Sequence, residues 1–183
     1  MVDKERRRKL AFHMRQLSVG LYSNDDFEYN IGEDVTKGWL PEHYYRSKLA
    51  KTDDPVIIPI LELCWGLYDD TRNHKLASAD RLLPEDLRVI ARCILFLHSN
   101  LEYEWPKFDT KSPIFSFSLI DLLLILFTLG QNFRNKRKAQ LQAYEELKKS
   151  GDFDCWPFYR QADYEQQLTI QPFLAGHSNA HSL

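Results

Sequence analysis

IFSFSLIDLLLILFTLG, residues 114–130, decides how this chain is read. Twelve of its seventeen residues are aliphatic or aromatic, one (Asp121) is a carboxylate, and the basic string Arg134, Lys136, Arg137 and Lys138 follows. Such a run is either the central buried helix of a soluble fold or a membrane-contacting segment. A spanning helix needs about 20 apolar residues, and an ionised carboxylate near its centre costs about 2.5–3.5 kcal/mol on insertion scales. The basic string would also hold its C-terminal side in the cytoplasm, forcing the charged N-terminal half across the bilayer without a signal. The spacing therefore predicts a long central core helix. A single-pass anchor through 114–130, or a lipid-touching contact there, is the alternative.

The rest of the composition agrees with a packed protein. The chain has 183 residues, 44% of them hydrophobic and 13% aromatic, with only seven glycines. A chain this long can bury roughly 70% of the surface it exposes when unfolded. Its 24 basic and 26 acidic residues nearly cancel, which gives no support for a nucleic-acid partner. Cys64, Cys93 and Cys155 are never spaced as C-x-x-C, and read as free thiols in a reducing compartment. The N-terminal MVDKERRRKLAFHMRQ lacks the apolar core of a secretory signal. These features predict a cytoplasmic, bacterial-type protein.

Working outward from the apolar run, helical spacing recurs and period-two alternation does not. Asp3 is placed to cap a first helix carrying Leu10, Met14, Leu17 and Leu21 on one face, and Gly20 weakens its end. Ser23-Asn24-Asp25-Asp26 caps a second, with Phe27 and Tyr29, and residues 31–41 read as a loop. Pro41-Glu42 opens a short helix through Leu49. Asp53-Asp54-Pro55 starts another with Val56, Ile57, Ile60, Leu61 and Cys64 inside. Asp69–Asp80 is a polar connection. Leu83-Pro84-Glu85-Asp86 opens the clearest helix, expected to pair with the apolar run. A charged helix is expected over 135–150, an aromatic loop over 152–158, and a last short helix over 162–168. The fold class predicted is all-α: a single-domain irregular bundle of about five to seven helices over 1–174, with a loose tail over 175–183.

Candidate chemistry is sparse. Asp69, Asp70 and His74 combine carboxylates with an imidazole, the donor set of a metal-dependent hydrolase or nuclease. Asp53 and Asp54 lie about 20 Å away along the intervening helix at 1.5 Å per residue, and helix capping accounts for them. His98, at a helix C-terminus, suits a protonated imidazole facing the dipole, and His13 reads as an edge residue. No nucleophile elbow, glycine-rich phosphate loop or cofactor motif is present, so no metal and no cofactor is expected. Trp39, Trp105 and Trp156 each lie within two residues of a proline. Of the aromatic loop residues, Trp105, Trp156 and Phe158 are the candidates for anchoring a protein partner.

Three strings carry a family resemblance: Trp65-Gly66-Leu67-Tyr68-Asp69-Asp70, Leu101-Glu102-Tyr103-Glu104-Trp105-Pro106, and Gly151-Asp152-Phe153-Asp154-Cys155-Trp156-Pro157-Phe158. With them the chain resembles a group of bacterial proteins without an assigned activity, over most of its length. The resemblance implies a bacterial origin and a self-contained domain, and transfers no functional residues. The expectation for function is a non-enzymatic interaction module of regulatory, immunity or accessory type, acting on an unknown protein partner.

Overall fold

Asp3 turns the extended N-terminus into helix α1, Lys4–Ser18, by accepting a hydrogen bond from the Arg6 backbone N–H. In the computed structural model the described residues are 1–38, 44, 53–105 and 151–172, with single positions 138, 142, 145, 146 and 149. They hold four further α-helices: α2, Asn24–Asp34; α3, Ile57–Trp65; α4, Pro84–Leu97; and α5, Gln161–Ile170. Short 3-10 turns cover Ser78–Asp80 and Phe153–Cys155, and no strand occurs among the described residues. The isolated bridge between Ser23 and Lys75 is antiparallel.

The chain divides into two compact units. One comprises Met1–Tyr103 and Asp154–Leu183, the other Glu104–Phe153. The first contains the five helices α1 to α5. Its organising element is α1, which packs against α2, α3 and α4, while α5 packs on α4. Leu10, Met14 and Leu17 of α1 are fully buried, each adding about 1.5–3 kcal/mol of hydrophobic stabilisation. They meet a core that includes Phe27 and Ile31 of α2, Ile57, Ile60, Leu61 and Cys64 of α3, and Ile90, Cys93, Ile94 and Leu97 of α4.

Each start and stop has a local cause. At α2 the Ser23 hydroxyl accepts from the Asp26 N–H, and the Asp26 carboxylate accepts from the Ser23 N–H, closing a capping box. Pro84 opens α4 at a position whose N–H has no helical acceptor anyway, and Asp86 accepts from the Leu83 N–H at 3.1 Å. Pro59 sits in the first turn of α3, where it removes no helical bond.

Four sequence expectations need correction. Leu21 does not continue the α1 stripe: the helix stops at Ser18, Gly20 takes φ +70°, and Leu21 is exposed. Glycine suits that turn because Leu76 O and Ala77 Cβ would lie 3.1 Å from any Cβ at position 20. Gly32 is helical, because α2 continues to Asp34. Asp53 and Asp54 do not cap α3: its N-cap is Val56, without a side-chain bond. His13 is buried, not at an edge.

The apolar run 114–130 lies outside the described residues, as do the tail 175–183, the hairpin of the Pro84 helix with the run and, apart from the helical and buried Tyr44, the segment expected to be a helix through Leu49. No helix among the described residues is the long apolar central one. Positions 138, 142, 145, 146 and 149 are helical and exposed, as expected for the charged segment 135–150. No helix among the described residues is long and apolar enough to cross a membrane.

Candidate functional site

The reactive side chains singled out in the sequence occupy a small exposed turn after α3. Asp69 Oδ1 accepts from the Thr71 N–H at 3.0 Å and from its hydroxyl at 2.6 Å. These bonds hold the carboxyl below its ordinary pKa. Arg72 Nε lies 3.7 Å from the other oxygen. His74 is fixed from the far side: its backbone N–H donates to Asn24 Oδ1 at 2.7 Å, and its Nδ1 stands 3.0 Å from Arg72 O. A carbonyl only accepts, so Nδ1 carries the proton in that bond. Asp70 is exposed on the same turn. The three residues are neighbours in sequence, yet no group of three His, Cys, Asp or Glu side chains among the described residues is arranged to hold a metal ion.

Asp53 and Asp54 are tied to α1 instead. Arg7 Nε is 2.6 Å and Nη2 is 3.0 Å from the two Asp54 oxygens, a bidentate pair. Arg7 Nη1 also donates to Leu101 O at 2.8 Å, and the guanidinium lies over the Phe96 ring at 5.1 Å. Arg6 Nη1 stands 2.6 Å from Asp53 Oδ2, its Nη2 donates to Val35 O and Tyr44 Oη, and Tyr44 donates to Asp53. Two adjacent arginines thus meet two adjacent aspartates. Every charge in the quartet is answered, which makes it a fastening of α1 to the segment before α3.

The aromatic candidates separate. Phe158 is fully buried, 5.0 Å from the Phe96 ring and 5.3 Å from Tyr164, so it offers a partner no surface. Trp156 is half-buried, and its Nε1 donates to Tyr103 Oη at 3.1 Å. Trp105, in the other unit, is buried with its ring 5.8 Å from Phe153, edge to face. The thiols of Cys64, Cys93 and Cys155 are buried. Burial pushes Cys64 up to about 12 and Cys93 well above its ordinary value, so neither is a nucleophile near neutrality.

A surface that sequence reasoning missed lies on α1. Lys4, Arg8, Phe12, Arg15 and Val19 are all exposed, and a spacing of four, four, three and four residues puts them on one stripe of the helix. Phe12 is 53% and Val19 59% exposed. Lys4, Arg8 and Arg15 make no ion pair with a described residue. Beside the end of the stripe opens a cleft of about 360 Å³, walled by Val19, Leu76, Ala77, Leu82 and Leu87, with Arg81 as its charged lining residue. Leu83, next in sequence to the lining, is 64% exposed. His98, which caps the C-terminus of α4, lies within the field of this stripe. Partial burial and then the positive charges of Arg15 and Arg8 lower its pKa. The expected protonated imidazole at that helix end is therefore disfavoured, first by burial and then by the two arginines.

The helical pattern of α1 contained the stripe's spacing. It was hidden because Arg6 and Arg7, which are buried, interrupt any division of the helix into charged outside and apolar inside. No protein-family model matches the chain, no curated protein matches it, and no solved structure matches it.

Proposed function

We propose that this chain is a non-enzymatic protein-interaction module, regulatory, immunity-type or accessory, acting in the bacterial cytoplasm. Its contact surface is the exposed stripe of α1 with the cleft beside it. The observation that carries the reading is the exposure of Phe12 and Val19 on one stripe of α1, with Val19 also lining a concavity walled largely by apolar side chains. Apolar side chains concentrated at an open concavity, with polar groups at its rim, mark contact sites more often than chance scatter does. In the same reading the chain is one irregular helical domain over 1–174, with 114–130 as a core helix shielded by its neighbours.

The test is photo-crosslinking in the native host from a benzophenone side chain placed at Val19, with the same group at exposed Tyr29 of α2 as control. A discrete protein adduct from position 19 that is missing from position 29 is expected. Equal, diffuse labelling from both positions would remove the reading.

A further inference from the structure

The charges around the cleft specify the partner more closely than its apolar walls do. The whole chain has net charge −2, yet Lys4, Arg8, Arg15 and Arg81 stand exposed on this face without an ion pair to any described residue. Two acidic groups next to them in sequence pair with other cations: Glu5 faces Lys9 at 3.6 Å and Asp80 pairs with Arg72 at 2.6 Å. Arg8 and Arg15 are two helical turns apart, about 10.5 Å, with Phe12 between them and Val19 leading into the cleft. Cations alternating with apolar groups along a helix, ending in a pocket, match a ligand that carries carboxylates and an apolar anchor on one side.

We infer that an acidic, amphipathic peptide segment of a partner protein docks along α1, its carboxylates against Arg8 and Arg15 and an apolar side chain in the cleft beside Arg81. The inference rests on the interaction reading above and adds the chemistry of the partner. A nucleic acid would satisfy the arginines but gains nothing from a recess walled by Val19, Leu76, Leu82 and Leu87. A lipid surface is too flat to fill it. A leucine or phenylalanine projecting from a helix fills it and leaves flanking glutamates level with the stripe.

The experiment uses the full chain and a fluorescein-labelled helix of leucine and glutamate, about five turns long, read by anisotropy. Saturable binding that weakens with added salt is expected, with a loss of roughly tenfold for the Arg15→Glu, Arg81→Glu double variant. Arg160→Glu, on an exposed residue at the start of α5, is expected to bind as the parent does. All these positions are exposed, and an unchanged thermal unfolding curve verifies the fold of each variant. The inference is overturned if the peptide does not bind, or if the double variant binds it equally well. It is also overturned if anionic phosphatidylglycerol vesicles or a single-stranded RNA oligonucleotide bind more tightly with the same arginine dependence. Should the Val19 crosslink form while the peptide fails to bind, the partner's acidity is wrong and the interaction reading stands. Loss of the crosslink as well removes both.

Discussion

Arg7 Nε lies 2.6 Å from Asp54 Oδ2, and neither side chain reaches solvent. The pair joins the first turn of α1 to the residue three places before α3, across 47 positions of sequence. Taking two ions out of water costs several kcal/mol each, so this pair adds little net stability against an apolar alternative, whereas breaking it strands a charge in the core. Asp54→Ala is therefore expected to destabilise the chain by about 3–5 kcal/mol. The double replacement Arg7→Met, Asp54→Leu should cost distinctly less. Urea unfolding followed by circular dichroism measures both. Equal losses for the single and double variants would mean that the Leu101 and Phe96 contacts of Arg7, not its charge pairing, hold α1 in place.

Two neighbouring aromatics in the 152–158 loop have different roles. Phe158→Ala empties a fully buried site between Phe96 and Tyr164, and is expected to cost about 3–5 kcal/mol. Trp156→Phe keeps the half-buried ring and loses the bond to Tyr103, a change of about 1 kcal/mol. The same unfolding measurement separates them.

Acid sensitivity is built into the α1–α2 contact. Asp34 accepts from His13 Nε2 at 2.8 Å and pairs with Lys9 at 3.1 Å. The bond to His13 and then the Lys9 contact depress its pKa below the ordinary 3.8. A carboxyl depressed in the folded state contributes stability that is fully present above its unfolded pKa and is lost as pH falls through the folded one. The stability difference between the parent and Asp34→Asn should accordingly be present above the ordinary 3.8 and shrink as the pH falls below it. Thermal melts across that range check it. A difference that grows on acidification would contradict the assignment.

His98 reports on the field of the stripe. Part of the depression of its pKa comes from Arg15, so Arg15→Glu removes a repelling charge and adds an attracting one. Its pKa should rise in the variant, seen as an NMR titration of the imidazole displaced to higher pH. A folded-state depression also means that stability falls as pH drops below the ordinary 6.5. The variant should show that loss less.

Local signals in the sequence were readable where one short segment settles the matter. Asp3 as a cap, the Ser23–Asp26 box, Pro84 at a helix start and the Leu10–Met14–Leu17 spacing each need only a few residues, and each is in the structure. Readings failed where the answer lay far along the chain. Asp53 and Asp54 sit ahead of an apolar helix, as capping residues do, and only the fold shows that Arg6 and Arg7 claim them. Gly32 resembles a breaker, but the capped start of α2 and the burial of Phe27 and Ile31 carry the helix past it. Phe158 follows a Trp-Pro pair in a loop, yet Phe96 and Tyr164 enclose it. The candidate surface was obscured for the same reason: with two arginines of α1 buried, its charges do not reveal which side faces water.

Thiol labelling tests the central claim, that one side of α1 is core and the other is a contact surface for an acidic segment. The three native cysteines are buried, so the parent should react slowly with a maleimide. Val19→Cys should react at the rate of an exposed thiol, Leu17→Cys should stay slow for as long as the chain is folded, and the leucine–glutamate peptide should protect position 19. Slow reaction at position 19 in the free chain, or a rate indifferent to saturating peptide, would contradict the account.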